Sequence, residues 1–262
     1  MVINTDLDAK TYNKHSSLQK KYSRIILNKV NFSGDENILD IGCGDGVITG
    51  NLLKFVPNGT VVGVDQSAQM IDLSKQTHRN IPRLNFFCMR AEDLKFKEKF
   101  DIIFSFSCFH WIKNKKTALK NIAKYLKSKG DVYILTYLYS DSFVEPIRDT
   151  LKSKKYANLN ININELEQFA SIGEYKAIGK KTNLMLKEYS IIPKIVKFPS
   201  LEHYANHFKG FHPISKMIPK QTIDAFFSDA SKNTLKYAPF NNDETLHCLL
   251  PTLILRFMKN DF

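Results

Sequence analysis

The chain has 262 residues, 43% of them hydrophobic, and a formal net charge of +12. That length suits one α/β domain with an insertion or lid, or at most two small domains, with enough apolar side chains for a substantial core. No apolar run reaches membrane-spanning length, and Met1-Val2-Ile3-Asn4 is not a basic start leading into an apolar block, so neither a span nor a secretion signal is expected.

Cys43, Cys88, Cys108 and Cys248 are scattered, without metal-ligand spacing or a disulfide framework. Reduced thiols in a cytoplasmic protein are the expectation. Lysines supply most of the charge, as at Lys20-Lys21, Lys113 to Lys116, Lys152 to Lys155 and Lys180-Lys181. Such a surface suits an acidic carrier protein, an anionic metabolite or RNA, and equally a solvated lysine-rich face. The basic residues are dispersed and no aromatic-basic stacking motif accompanies them, so nucleic acid is not favoured.

In chain order, residues 5–30 carry Leu18, Tyr22, Ile25, Ile26 and Val30 at helical spacing. A strand is expected at 37–41 and a helix at 46–55. Pro57-Asn58-Gly59 turns into a second strand, Thr60 to Val64, which ends on Asp65. Ser67 is placed to cap a helix through Met70, Ile71 and Leu73. Strands follow at 84–88, at 100–106 and at 132–137, with a helix over 115–126 between the last two. Phe100 to Phe106 is so apolar that it is expected at the centre of the sheet. Strands alternating with helices predict a doubly wound, mostly parallel sheet. Beyond Tyr139 the signal weakens. Residues 140–190 read as mainly helical and Ile191 to Phe198 as a strand. Helices follow Pro199-Ser200 and Pro219, and Leu246 to Met258 reads as a closing strand interrupted by Pro251. The chain is divided into a core with an N-terminal helical region, 1–139, and a remainder of lid helices and closing strands, 140–262.

The most informative stretch is Ile38-Leu39-Asp40-Ile41-Gly42-Cys43-Gly44-Asp45-Gly46. Glycines there permit a tight strand-to-helix turn and close approach of a ligand to the backbone. Asp65 lies where an acid suits ribose hydroxyls. The third glycine comes one residue earlier than in the dinucleotide fingerprint, and Asp40 precedes the first by two. This Asp-x-Gly-x-Gly-x-Gly pattern resembles motif I of class I S-adenosylmethionine-dependent methyltransferases, which implies a seven-stranded Rossmann-like sheet. By that resemblance Asp40 orients the methionine ammonium, Gly42, Gly44 and Gly46 leave room for the cofactor, and Asp65 holds the ribose. Cys43, Gln66, Met70, Ala91, Glu92 and Ser105 complete the implied cofactor set. Many relatives carry an Asp at the adenine where this chain has Arg90, which leaves that contact to Ala91 and Glu92.

Two further blocks narrow the resemblance. Tyr12 to Gln19 is similar to the N-terminus of methyltransferases of small or carrier-bound carboxylic acids. Phe104-Ser105-Phe106-Ser107-Cys108-Phe109-His110-Trp111 resembles the juvenile hormone acid type, with the trans-aconitate and malonyl-carrier-protein methyltransferases close to it. The implied reaction is methyl ester formation. A carboxylate is already ionised at neutral pH and needs orientation and exclusion of water rather than a base. Gln19, His110 and Trp111 are the candidates for orienting it, with Tyr12 covering cofactor or substrate. Arg148 is a candidate partner for a second substrate carboxylate, although a lone arginine on a helix is more often an ordinary surface residue. His203, His207 and His212 lack nearby carboxylates, so no metal site is expected. A small free acid is the expected acceptor. The alternatives are a malonyl group on an acidic acyl carrier protein, an RNA or protein acceptor, and a binding module without activity. The chain lacks an Asn/Asp-Pro-Pro-Tyr-type block after the fourth strand, which argues against methylation of base amino groups.

Overall fold

The computed structural model describes residues 17–165 and 168–260. Within them the elements run α1 (Ser17–Leu27), β1 (Asn37–Ile41), α2 (Val47–Leu52), β2 (Thr60–Asp65), α3 (Ala68–Thr77), β3 (Leu84–Cys88) and β4 (Phe100–Phe106). Then come α4 (Lys115–Tyr125), β5 (Leu126–Tyr137), α5 (Asp141–Lys152), α6 (Ile172–Lys181), β6 (Leu184–Ile192) and β7 (Ile195–Phe198). The chain closes with α7 (Leu201–Phe211), α8 (Ile223–Asn233), β8 (Leu246–Leu249) and β9 (Thr252–Lys259). The main sheet has the order β3-β2-β1-β4-β5-β9-β6. Neighbours from β3 to β5 pair in parallel, and β9 alone runs against both of its neighbours. The apolar β4 is the middle strand, as its composition predicts.

Alternation along the strands feeds two cores. Leu39, Ile41, Ile103 and Ile134 face one side with Ala118, Leu119 and Ile122 of α4 and Tyr175 of α6. Ile38, Ile102, Phe104 and Leu135 face the other with Ile26 of α1, Leu52 of α2 and Ile71 of α3. Period-two alternation with both faces covered is what a doubly wound sheet requires. A third cluster gathers Phe143 and Ile147 of α5, Tyr204 and Phe208 of α7, Phe226 and Phe227 of α8, and Phe198, Leu246 and Cys248 of a separate β7–β8 pair.

Several expected boundaries shift for physical reasons. Helix α2 is shorter than 46–55 because its end tightens, with Lys54 N–H donating to Asn51 O and Phe55 N–H to Leu52 O. Residues 184–190, expected to be helical, form the edge strand β6 together with Ile191 and Ile192. Its alternation was hidden because the outward positions Met185, Tyr189 and Ile191 are also apolar. The single strand expected over 191–198 is two. Pro193, which lacks an N–H, stands between β6 and β7, as Pro251 stands between β8 and β9. Leu250 N–H donates to Lys194 O at 2.7 Å, so the antiparallel ladder passes from the main sheet into the small one across this double kink. No helix among the described residues is long and apolar enough to cross a membrane.

Candidate functional site

The carboxyl ends of β1 and β2 build the glycine loop. Val64 O accepts from Gly42 N at 2.8 Å and from Cys43 N at 3.0 Å. The Asp65 carboxylate accepts from Gly44 N at 3.0 Å through one oxygen and from Ser67 N at 2.9 Å through the other. The same residue therefore braces the loop and the entry to α3. Gly42 and Gly46 both have φ +76°, where a side chain is strained. A Cβ on Gly42 would lie 2.4 Å from Cys108 Sγ, and one on Gly46 2.8 Å from the Phe86 ring. The turn is close-packed from below and takes its form only with glycine.

Asp40 is 1% exposed. Its Oδ2 accepts the Thr49 hydroxyl at 2.6 Å, while Oδ1 has no hydrogen-bond partner among the described residues. Burial pushes its pKa up to about 7, with the Asp65 charge adding to the rise and the Thr49 hydrogen bond opposing it. A buried carboxylate with one open oxygen, beside a second carboxylate, is a place where a cation is stabilising. An S-adenosylmethionine ammonium fits that need, and the glycine cradle fits close backbone approach, so the residues present suit the cofactor.

The remaining expected cofactor residues divide. Met70 is buried on α3, whose N-terminus is capped by the Ser67 hydroxyl, and Gln66 is exposed. Asn121 of α4 donates its amide to Ala91 O and Glu92 O, at 3.3 and 2.6 Å, and so fixes the 91–93 turn. Arg90 lies over that turn and pairs with Glu92 at 3.2 Å and Asp93 at 3.8 Å. Ser105 is completely buried and donates to Ile41 O at 2.8 Å. Its hydroxyl joins β4 to β1 inside the sheet, a bracing position rather than the ligand-facing one expected. Burial, with Asp65 and Asp40 nearby, pushes the Cys43 and Cys108 thiols up, which keeps them protonated and inert.

Across the sheet edge, β4 and β5 present an aromatic cluster. His110 is buried, with its ring centroid 4.6 Å from Trp111, 4.8 Å from Tyr137 and 6.3 Å from Phe169. Trp111 meets the His212 ring edge-on at 5.7 Å. Burial drives the His110 pKa down to about 3, helped by the charge of Lys115 and by His212. The imidazole is neutral at physiological pH, and its Nδ1 is buried with no hydrogen-bond partner among the described residues. Both sequence candidates, His110 and Trp111, lie in this cluster. Gln19 lies on α1 but its side chain is not described, and Tyr12 falls outside the described residues.

Arg148 behaves as an ordinary surface arginine rather than as the candidate partner for a substrate carboxylate. Its guanidinium pairs with Glu145, donates to Tyr139 OH at 3.2 Å and to Asn164 Oδ1 at 3.0 Å, so its charge is already matched. The three histidines also go separate ways. His203 pairs with Ser200 Oγ at 2.9 Å, His207 lies 5.3 Å from the Phe198 ring, and His212 sits against Trp111. Sequence reasoning missed Thr49, Ser107, Tyr137 and Phe169. Tyr137 OH lies 2.9 Å from Ser107 Oγ, and Ser107 has φ +56°. The signal for Tyr137 was available, since it ends a parallel strand at the edge where such sheets bind ligands. Phe169 had none, because it lies in a loop.

Comparisons with known proteins agree with this geometry. A methyltransferase-domain family model matches residues 38–130, which hold the glycine loop, Asp65 and the His110 block. A malonyl-[acyl-carrier protein] O-methyltransferase of Priestia megaterium is 27% identical over 254 residues, covering 96% of this chain and 85% of that protein. The Bacillus subtilis YcgJ structure aligns with a TM-score of 0.62 at 18% identity, covering 91% of this chain and 98% of that one. A Haemonchus contortus phosphoethanolamine N-methyltransferase, solved with S-adenosylhomocysteine, aligns with a TM-score of 0.58 at 17% identity, over 92% of this chain and 53% of that one. With the sheet order, the glycine cradle and the orphaned Asp40 oxygen in place, the chain is a class I S-adenosylmethionine-dependent methyltransferase.

Proposed function

We propose that this cytoplasmic enzyme forms the methyl ester of an already ionised carboxylate, with a malonyl-type acid carried on an acyl carrier protein as the acceptor. The observation that carries the carboxylate reading is His110. Its pKa near 3 makes it a poor base at neutral pH, yet its neutral ring can hydrogen-bond. Burial also raises the Tyr137 hydroxyl pKa, so that group stays protonated. An acceptor that must lose a proton is poorly served here, whereas a carboxylate arrives ionised. The carrier-bound form is supported by the Priestia megaterium relative, similar along nearly the whole chain, and it moves ahead of the free small acid first expected.

When bound, S-adenosylmethionine supplies a methyl group on a sulfonium sulfur, open to in-line attack by an ionised oxygen. Asp40, the glycine loop, Asp65 and the 91–93 turn hold that cofactor at the ends of β1 to β3. His110 and Trp111 orient the acceptor carboxylate at the ends of β4 and β5, with Gln19 as the further candidate for that role and Tyr12 as the candidate cover for cofactor or substrate. Orientation is the larger part of the catalysis when the nucleophile is already charged. The layer of α5, α7 and α8, within residues 140–262, serves as a lid that excludes water.

The test is methyl transfer from labelled S-adenosylmethionine to a panel of malonyl-acyl carrier protein, trans-aconitate, farnesoic and other fatty acids, and bulk RNA. Base-labile label on the malonyl carrier is expected. Label on free acids alone would restore the small-acid reading, and label confined to RNA would overturn ester formation.

A further inference from the structure

We propose that the exposed face of α4 is the docking surface for the acyl carrier protein, a partner of acidic chemistry; this rests on the acceptor reading above. The helix reads Lys-Lys-Thr-Ala-Leu-Lys-Asn-Ile-Ala-Lys-Tyr and, like α1 and the short α2, contains no carboxylate, whereas α3, α5, α6, α7 and α8 each carry at least one. Lys113, Lys116, Lys120 and Lys124 are all exposed. Lys116, Lys120 and Lys124 recur every fourth residue, so they form one stripe about 12 Å long.

This arrangement works against the helix itself. Like charges four residues apart repel, and basic residues in a first turn oppose the helix dipole. The first turn of α4 holds Lys115 and Lys116 and no acid. Lys115 is accommodated internally, its amine donating to Ile112 O at 2.9 Å. Lys124 lies 4.8 Å over the Tyr125 ring. Lys113, Lys116 and Lys120 make no ion pair with the described residues, unlike Lys155, Lys197, Lys209 and Lys236, each matched to an aspartate. A locally unfavourable pattern with no internal compensation points to a partner that supplies the missing charge.

Position and composition choose that partner. Lys113, two residues after Trp111, leads into the stripe at the start of α4, so a carrier seated on α4 sits beside the proposed acceptor site. Lys176 and Lys180 on the adjoining α6 are also exposed and extend the basic field. The nearby Glu174 is occupied, accepting from both the amide and the hydroxyl of Ser171. Asp93, on the turn that α4 covers, faces Arg90. The aromatic residue of α4, Tyr125, is buried, so the face offers no ring for stacking bases. A ladder of point charges at one-turn spacing fits acidic side chains on a partner helix.

The experiment compares the full chain with its Lys116→Glu/Lys120→Glu variant. Binding of fluorescent malonyl-acyl carrier protein is read by anisotropy, and turnover is measured on that carrier and on malonyl-pantetheine, which lacks the protein. The variant should bind the carrier about tenfold more weakly and with less salt dependence. Its kcat/KM on the carrier should fall by a similar factor, and that on malonyl-pantetheine should stay within about twofold of wild type. Its Tm should hold or rise, because a glutamate at position 116 complements the helix dipole. Unchanged carrier binding, equal losses on both substrates, or a loss seen only for bulk RNA would each overturn the docking surface. If the wild type methylates neither malonyl substrate, the acceptor reading fails, and the anisotropy measurement still decides the surface separately.

Discussion

Around β1 and β2 the chain is shaped by backbone hydrogen bonds, while around β4, β5 and α5 it is shaped by packed rings. In the first region Val64 O, the Asp65 carboxylate and the glycines leave the loop a single path. In the second, His110, Trp111, Tyr137, Phe169 and His212 meet through ring contacts that other side chains of similar shape could also satisfy. The contrast teaches where this enzyme is replaceable. On the proposed reading, cofactor binding depends on geometry that tolerates no Cβ, and acceptor choice depends on a surface that can be repacked.

Substitutions should break the first region abruptly and the second gradually. The largest effect is expected for Gly42→Ala, which adds an atom against Cys108 at a left-handed φ. Such strain alone costs about 1–3 kcal/mol, so cofactor affinity by calorimetry should fall by about a hundredfold. Trp111→Ala should lower kcat/KM by about ten- to a hundredfold, through misplacement of the acceptor, while cofactor affinity stays within about twofold. Equal loss of both would move Trp111 to the cofactor pocket or to the fold.

Asp40→Asn sharpens the comparison through pH. The Asp40 pKa is raised to about 7 in the folded protein, so in the cofactor-free state the folded form holds a proton that the unfolded form releases. Its contribution to stability is therefore largest below the ordinary aspartate range and is lost as pH rises toward 7. The Asn variant should lack that loss and melt about 2–4 °C higher at pH 8. Wild-type cofactor affinity should rise between pH 6 and 8 as Asp40 ionises, and the variant should bind weakly with no such rise. The smallest effect is expected from Tyr156→Phe. It removes the 2.8 Å hydrogen bond to Asp229 under the α5–α8 contact, at a cost of about 1 kcal/mol. Thermal melting should register it while cofactor binding should not.

The same contrast explains what was legible. Glycines before a helix, an acid ending the second strand and an apolar central strand are local signals, and they fixed β1 to β4 and the cofactor edge. Strand β6 was hidden because it is an edge strand with apolar residues on its open face. Ser105 looked like a ligand residue because sequence position does not reveal that its hydroxyl turns toward Ile41. An ordinary arginine is the favoured reading of Arg148 in the sequence, but its partners Glu145 and Asn164 are not legible there, because they are set by helix α5 and a loop folding back. Phe169 joins His110 through a loop contact, Gln168 N–H to His110 O at 2.9 Å, that no periodicity announces.

The central claim, that the acceptor arrives ionised and needs no base, is tested most directly by the pH dependence of kcat on malonyl-acyl carrier protein with cofactor saturating. The account predicts a flat profile from about pH 6 to 9, because carboxylates ionise near pH 4. A tenfold rise per pH unit in that range, with a midpoint moved by His110→Asn, would show an essential base and contradict it.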